Sequence, residues 1–573
     1  MNTKKIISIA GIFLFLFTSC DEFLEPDKDN RLFEDQVFSN PIYAEGLLLN
    51  AYDGLPTSYS FDDVATDNAV TNDKGSGFLR MATGEWKASY SPVSAWESAY
   101  EQIYYLNLFL ERLEDVEWSW EREEINALYL KRLKGEAHGL RACYEFQLLQ
   151  AHAGLSEANN MLGFPIVTEP LSVEDDLELP RDAYEDCVQQ ILADCDTAIA
   201  NLNDEYVDTG DPIYDAVYGR SFKNRMTSLA AKALKSRASL HAASPAFTVN
   251  LSEAEKQERW ADAAGYAGEL LSEIGGPAGL SPGGHTFYIP QTSPVLAFDP
   301  DIIWRSDYVE NTTLESQNFP PSQFGQGRTN PSQNFVNAFP MENGYPISHA
   351  SSTYDPANPY ANRDPRFQEN IIYNFSQFRG ASVFTALGLV SKDVINSTTS
   401  STRTGYYLKK FMNPDVNIDP NVNNTAIHFY TYFRFTEVFL NYAEAANEAW
   451  GPDADPEGYG FTARDVIAAI RNRAGIAQPD NYLGELSSKE QVRDLIQNER
   501  RLELCFEGFR FWDLRRWSKD LTETCQGAFI TFDGVFIYDY QDVEKRNYES
   551  YMIYGPIPYD ETLIYDLEQN QGW

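Results

Sequence analysis

The fold is decided by residues 498–517, which read NERRLELCFEGFRFWDLRRW. Glu499, Glu503 and Glu507 recur every four residues and would form one ridge on a helix; we call these three residues the glutamate ridge. Arginines and aromatic rings crowd around the ridge, namely Arg500, Arg501, Arg510, Arg515, Arg516, Phe506, Phe509, Phe511, Trp512 and Trp517. A solvent-exposed face does not need so many rings. The stretch therefore predicts a helix whose ion-paired side chains pack into a core.

The glutamate ridge has two interpretations. Carboxylates one helical turn apart can reach the roughly 5–9.5 Å separation that glycoside hydrolysis uses, so Glu499 and Glu503 are candidate catalytic residues. Alternatively, each glutamate is held by an arginine and the ridge is scaffold. Neighbouring arginines lower the pKa of a carboxyl group, which is unsuitable for a general acid. Residue chemistry favours the scaffold, and a glycoside hydrolase remains the alternative.

The composition is that of an acidic globular protein. The 573 residues include 45 basic and 85 acidic side chains, for a net charge of −40, and 43% of them are hydrophobic. A polyanion would be repelled, so we expect no nucleic-acid partner. A neutral ligand fits this net charge best, and a cationic ligand is a second option.

The N-terminus resembles the export signal of a lipoprotein. Residues 6–17 form an apolar run after two lysines, too short for a mature membrane span and suited to a signal peptide. The run leads into Thr18-Ser19-Cys20, which resembles a lipobox. We therefore expect residues 1–19 to be a lipoprotein signal peptide, Cys20 to be lipidated and residues 20–31 to be a polar tether to the membrane.

The other five cysteines do not suggest a disulfide framework, because they are odd in number and widely spaced. A bond between Cys505 and Cys525 is conceivable. Buried free thiols are the expected state for most of the five.

The remaining chain predicts a mostly α fold. Apolar residues recur at helical spacing over about 40–274 and 428–520, with small residues where helices would cross. These helical pairs resemble tetratricopeptide repeats forming a scaffold, although no strict 34-residue period survives. Residues 275–425 are rich in Pro, Gly, Asn, Ser and Thr and predict a long, irregular, ligand-bearing insertion with short strands, packed on a single domain (20–573). Residues 521–573 form a Tyr-rich C-terminal tail.

Most motifs that carry chemistry are missing from the sequence. It contains no P-loop, no G-x-G-x-x-G, no G-x-S-x-G and no H-E-x-x-H, and its six histidines are scattered. We expect neither cofactor nor zinc. Residues 415–419 and 453–458 resemble the start of a calcium loop but depart from it at later positions, so a solvated turn is favoured over structural calcium.

The loop-like segment 53–93 offers a binding surface. It combines Trp86 with Asp67 and Asn68, a mixture that suits carbohydrate, because sugar faces stack on aromatic rings and sugar hydroxyls bond to polar side chains. Aromatic residues on loops carry function more often than those in core helices. A tryptophan in a loop can equally be a plug over the core.

Motifs along nearly the whole chain resemble the SusD/RagB family of surface lipoproteins for nutrient uptake. The stretches that carry the resemblance are ERR at 499–501 with FWDLRRW at 511–517, GEAHGLRA at 135–142, NPSQ at 330–333, FPMENGYP at 339–346, YANRDPRF at 360–367, FTEVFLNYAEA at 435–445, IAAIRNRAG at 467–475, PIP at 556–558 and QNQGW at 569–573. They occur in one consistent order, which makes the resemblance specific.

The resemblance implies a non-catalytic protein with a SusD-like α-α superhelix. It implies an outer-membrane lipoprotein, exposed at the cell surface, that captures an oligosaccharide and passes it to a SusC-like TonB-dependent transporter. No binding residue transfers from the family motifs. We expect Trp86 to stack on sugar and Asp67 and Asn68 to bind hydroxyls, with Arg366 and Tyr407 as further candidates from the insertion. Peptide capture, as the RagB branch suggests, is the alternative.

Overall fold

The computed structural model describes residues 34–120, 122–172, 174–289, 298–422 and 424–573. The predictions for the signal peptide, for the lipidation of Cys20 and for the tether lie outside these ranges. Within them, no helix is both long and apolar enough to cross a bilayer.

The fold is mostly α, as the sequence predicts, and its body is a tetratricopeptide-like scaffold of packed helices. The long helices are Pro41–Asp53, Trp96–Arg112, Glu123–His152, Tyr184–Asn201, Ser228–Ala243, Glu253–Glu273, Phe435–Trp450, Ala463–Arg473 and Lys489–Glu503. The shorter helices are Glu34–Phe38, Gly77–Arg80, Pro212–Tyr218, Thr313–Asn318, Gln333–Ala338, Pro365–Asn370, Asn481–Glu485, Arg510–Arg516 and Tyr559–Ile564.

Helices that follow one another in sequence pack together in the scaffold. Glu123–His152 contacts the helix before it and the helix after it, and Ser228–Ala243 packs against Glu253–Glu273. Small residues permit the close approach. A Cβ atom on Gly135 would lie 2.7 Å from the Leu202 side chain, so a larger residue would push these elements apart.

The strands of the described residues form only antiparallel pairs. The pairs are Ala69–Thr71 with Thr329–Pro331, Gly154–Leu155 with Met161–Leu162, Ile302–Arg305 with Thr431–Arg434, Val309–Asn311 with Ala426–His428, Ile371–Ile372 with Tyr407–Leu408, Gln377–Phe378 with Ala381–Ser382, and Cys525–Phe532 with Phe536–Glu544. Several of these pairs join the insertion to other parts of the chain.

The stretch 498–517 is not one helix, contrary to the sequence prediction. The helix Lys489–Glu503 ends at Glu503, and a second helix begins at Arg510. Between them Phe506 and Gly508 adopt left-handed backbone conformations, with φ of 61° and 83°, which a continuous helix cannot contain.

Cys143, Cys187, Cys195, Cys505 and Cys525 are buried free thiols. The conceivable bond between Cys505 and Cys525 is therefore absent, and the expected state of the other three is confirmed.

Candidate ligand-binding cleft

The glutamate ridge is buried at the junction of the scaffold and the irregular half. Glu499 and Glu503 have no exposed surface. Arg366 Nη1 lies 2.7 Å from Glu499 Oε2 and 3.0 Å from Glu503 Oε1. Arg471 binds Glu499 at 2.6 Å and Arg473 binds Glu503 at 2.9 Å. Each carboxylate is thus held by arginines from two separate parts of the chain.

This burial contradicts the glycoside hydrolase hypothesis built on Glu499 and Glu503. Burial by itself would raise the pKa of Glu503, but His285, Arg473 and Arg366 overcome that effect and hold it well below its ordinary value. A carboxyl group that stays ionised and out of reach of solvent cannot act as a general acid on a sugar. The scaffold interpretation of the ridge is the one that fits.

Arg366 and Trp86 are not available to a ligand, so their predicted binding roles are wrong. Arg366 is 1% exposed and its guanidinium is occupied by carboxylates. Trp86 is 2% exposed, and its indole N–H donates to Ser91 Oγ at 3.0 Å. The Trp86 ring lies 4.9 Å from that of Trp573, centroid to centroid. Trp86 therefore covers a core, which is the alternative role that the sequence left open for this residue.

Asp67 and Asn68 are also buried, which contradicts their predicted contact with sugar hydroxyls. Asp67 forms ion pairs with Arg501 at 2.8 Å and Arg510 at 2.7 Å. These charges outweigh the effect of burial and lower the pKa of Asp67 well below its usual range. Asn68 accepts a hydrogen bond from Arg501 Nε at 2.7 Å and donates to Asp63 Oδ1 at 2.7 Å. Asp67 and Asn68 therefore hold the loop 53–93 against residues 498–517.

Tyr407 has no exposed surface either, so its predicted ligand contact is wrong. Its hydroxyl donates to the Asp393 carbonyl and accepts from the Thr402 N–H, both at 3.0 Å. A Cβ atom on Gly327 would lie 2.7 Å from the Tyr407 ring. The Tyr407 ring therefore packs behind two loops, one containing Gly327 and the other containing Asp393 and Thr402, which form the wall of an open cleft.

That cleft has a volume of about 950 Å³. It is lined by Thr71, Asn72, Lys74, Leu79, Arg328, Asn396, Ser397, Thr398, Thr399, Ser400, Ser401, Arg403 and Glu544. The first four come from the loop 53–93, and most of the others come from the insertion. The loop 53–93 and the insertion, which the sequence predicts to bind a ligand, therefore meet at this cleft. The residues that line the cleft differ from the predicted binding residues.

Strand pairing and one asparagine hold the cleft together. The strand Ala69–Thr71 pairs with Thr329–Pro331, which places Thr71 opposite Thr329. Just beyond the strand, Asn72 Nδ2 donates to the carbonyls of Gln326 and Gly327, both at 2.9 Å. These bonds join the first loop to the insertion and fix the shape of the opening.

The lining is suited to hydrogen bonding. Hydroxyl, amide, ammonium and guanidinium groups surround the opening, and Leu79 is the one aliphatic side chain among the lining residues of the described chain. No Trp or Tyr belongs to that described lining. Phe324 is 55% exposed and lies two residues before Gln326, at the edge of one of the joined loops. A ligand with many hydroxyl groups matches this surface.

The described residues contain no cluster of three or more His, Cys, Asp or Glu side chains arranged to hold a metal ion. In the acidic loop 453–458, Asp453 is paired with Arg464 at 2.5 Å. Asp455 accepts hydrogen bonds from the N–H groups of Tyr459 and Gly460. The Asp455 carboxylate thus caps a turn, and the Asp453 carboxylate is held by an arginine.

A polar run in the sequence was the signal that sequence reasoning missed. Residues 396–403, NSTTSSTR, contain only hydroxyl, amide and guanidinium side chains. Such a run is usually a solvated loop, and only the pairing of Ala69–Thr71 with Thr329–Pro331 and the bonds of Asn72 show that it borders a cleft.

The chain thus combines a helical-repeat scaffold with an irregular half that carries an open polar cleft. The chain belongs to the SusD-like family. The SusD family model matches residues 300–573, and a second model, described as starch-binding associating with outer membrane, matches residues 22–240. The chain is 23% identical over 535 residues to the SusD-like protein P38 of Formosa agariphila, covering 90% of this chain and 92% of that protein.

Solved structures share the fold. A SusD-like protein from Bacteroides fragilis superposes with a TM-score of 0.72 at 23% identity, covering 96% of this chain and all of that one. A SusD-like carbohydrate-binding protein from the same species has a TM-score of 0.69 at 21% identity, with 92% of this chain and 99% of that chain covered. A laminarin-binding SusD-like protein has a TM-score of 0.54 at 20% identity, with 94% and 100% covered. At these identities the likeness establishes the architecture alone.

Proposed function

We propose that this protein binds an oligosaccharide in the cleft and delivers it to a SusC-like TonB-dependent transporter in the outer membrane. The observation that carries the proposal is the open polar cleft between the loop 53–93 and the insertion, in a chain of the SusD-like family. The family description and the names of relatives that bind carbohydrate or laminarin support it.

The size and chemistry of the cleft suit a glycan. Its volume of about 950 Å³ lies at the upper end of the roughly 300–1,000 Å³ that small-molecule sites occupy, which leaves room for several sugar rings. The side chains of residues 396–400 offer hydroxyl and amide groups, and four of the five residues are exposed. Sugar hydroxyls can both donate to and accept from such groups.

The peptide alternative is less well supported. A broad acidic cavity without an aromatic platform would favour peptide capture. The cleft lacks Trp and Tyr in its described lining, but its charged groups are predominantly basic, with Glu544 as the single carboxylate. Capture without hydrolysis is part of the proposal, as are the lipid anchor on Cys20 and exposure at the cell surface.

The test is a binding screen of purified protein that begins after Cys20, first on immobilised polysaccharides and then on soluble oligosaccharides by calorimetry. Thr399 is exposed and lines the cleft, so Thr399→Trp should obstruct it and abolish binding of any glycan that the screen identifies. Thr522→Trp places the same ring at an exposed position outside the cleft lining and should leave binding unchanged. Equal binding by both variants would refute the assignment of the cleft.

Delivery needs a separate test. Affinity-tagged, lipidated protein purified from detergent-solubilised outer membranes should bring down a TonB-dependent barrel in stoichiometric amount. Released products in the binding assay would contradict the non-catalytic part of the proposal.

A further inference from the structure

The charge of the cleft is opposite in sign to that of the whole molecule. The chain carries a net charge of −40, yet the cleft lining contains Lys74, Arg328 and Arg403 against the single carboxylate of Glu544. Net charge describes the long-range field, whereas a bound ligand responds to the groups within a few ångströms of it. Composition alone predicts a neutral or cationic ligand, but the local charge of the cleft does not support that expectation.

The one carboxylate of the lining is already neutralised. Glu544 Oε2 accepts from Arg403 Nη1 at 2.5 Å, and Glu544 Oε1 pairs with Arg546. Two arginines thus share one carboxylate, so this group of three carries a net positive charge. Arg403 also donates to the Thr71 carbonyl at 2.9 Å, which fixes its guanidinium at the cleft wall while 28% of the side chain stays exposed.

The other two cations of the lining keep exposed side-chain surface, although Arg328 also forms a long ion pair with Asp73. Arg328 lies 3.7 Å from Asp73 and 3.4 Å from the side-chain oxygen of Asn72, and 35% of its side chain is exposed. Lys74 is exposed and forms no ion pair with any residue in the described part of the chain. An ammonium group on a flexible stem and two guanidinium forks are groups that bind carboxylate and sulfate.

A second cavity shows that a positive lining is not general in this protein. A pocket of about 600 Å³ beside the helix Trp96–Arg112 has Glu97, Glu169, Asp560 and Glu561 in its lining, and none of its described lining residues is Lys, Arg or His. That sign is the one expected of a chain with this net charge. The cation excess of the cleft is a local departure from it.

We propose that the cleft selects anionic oligosaccharides, with a uronate carboxylate or a sulfate ester placed among Lys74, Arg328 and Arg403. The proposal rests on the proposed function and names the class of glycan that the same cleft takes. Hydroxyl and amide groups of residues 396–400 bind the sugar rings, and the three cations bind the charged substituent. The ion pair with Glu544 keeps Arg403 in place before the ligand arrives, so little ordering cost remains to be met on binding.

The experiment compares acidic oligosaccharides with neutral forms of the same sugars. Uronate oligosaccharides are measured beside their carboxyl-reduced forms, and sulfated oligosaccharides beside their desulfated forms, by calorimetry on the protein that begins after Cys20. We expect an acidic form to bind at least about tenfold more tightly than its neutral counterpart, which corresponds to 1.4 kcal/mol. The uronate and sulfate arms identify which anion is recognised.

The variants Lys74→Gln and Arg328→Gln, combined in one chain, should remove most of this preference, lowering affinity for the acidic form about tenfold and affinity for the neutral form by a smaller factor. The matched control combines Lys519→Gln with Arg220→Gln, which changes net charge equally at exposed positions outside the cleft lining. Tighter or equal binding of neutral forms overturns this inference while the proposed function stands. A preference that persists in the cleft variant also overturns it. Failure of every acidic and neutral glycan to bind overturns both proposals together.

Discussion

A substitution at Trp86 gives the sharpest test of whether a predicted binding residue contacts ligand or belongs to the core. We predict that Trp86→Ala destabilises the protein and does not reduce the glycan affinity of the molecules that remain folded. The ring packs edge-on against Tyr548 and Trp573, with centroids 6.1 and 4.9 Å away, and tilted against Phe511 at 5.7 Å. Burial in such a cluster makes a Trp→Ala change cost about 3–5 kcal/mol.

A second interaction raises the expected cost toward the upper end of that range. The guanidinium carbon of Arg515 lies 5.6 Å from the Trp86 ring centroid. Arg515 is buried, its Nη1 and Nη2 atoms have no hydrogen-bond acceptor among the described residues, and burial lowers its pKa to about 9. Trp86 is one of three rings around this charge, with Phe511 and Trp512 at 5.3 and 5.1 Å, and the loss of one desolvated cation–π contact costs up to about 2 kcal/mol.

The assay is urea unfolding followed by circular dichroism, with calorimetry on the folded fraction. Trp86→Phe is the matched control, because it keeps an aromatic face over Arg515 and loses the hydrogen bond to Ser91, for an expected cost of about 1–2 kcal/mol. An unchanged unfolding midpoint together with lost glycan binding in Trp86→Ala would refute the reasoning and restore the ring to the ligand site.

Two further predictions concern buried charge. Arg366→Met leaves Glu499 and Glu503 with one fewer cation each. We expect this variant to lower the free energy of unfolding by about 3–5 kcal/mol, measured by urea unfolding at pH 7. A loss below about 1 kcal/mol would show that the glutamate ridge does not depend on this arginine. Burial, with the adjacent charge of Asp63, raises the pKa of the Asp62 carboxyl group in the folded protein above its unfolded value of about 4. The stability that the protonated Asp62 contributes is therefore fully present below about pH 4 and is lost as the pH rises through the folded-state pKa. Asp62→Asn should therefore stabilise the protein by about 1–3 kcal/mol at pH 8 and by close to nothing at pH 4, and a gain that is equal at both pH values would contradict this account.

The sequence predicted the helical scaffold because apolar spacing and capping residues act locally. The Asn40 side chain accepts from the Ile42 N–H and Pro41 takes the first helical position, so the helix Pro41–Asp53 begins through contacts between neighbours in the sequence. The break after Glu503 was missed, because the left-handed conformation of Phe506 follows from the core that its ring enters and not from its own preference.

Composition singled out the two segments that line the cleft, but it did not single out the lining residues themselves. Trp86, Asp67 and Asn68 are the residue types that a sugar site uses, and the same types also suit a buried polar junction. Burial decides between the two uses, and burial depends on partners such as Arg510 that lie more than four hundred residues away in the sequence.

The segment that decides the fold also determines the shape of the cleft. Arg501 and Arg510 bind Asp67, and the strand Ala69–Thr71 begins two residues later and ends at the cleft. On the other side, the Asn68 carbonyl accepts from the Ser332 N–H, which fastens the partner strand of the insertion to the same junction.

Because the ion pairs of Asp67 and the backbone hydrogen bond of Asn68 are buried, we expect the two walls of the cleft to be held at a fixed separation before any ligand binds, and affinity to depend on the exposed side chains of the lining. Arg501→Leu would test this coupling, because it leaves every lining residue in place and removes one cation from Asp67. We expect it to weaken glycan binding several-fold and to lower stability, whereas a loss of stability with unchanged affinity in the folded fraction would show that the cleft keeps its shape without this junction.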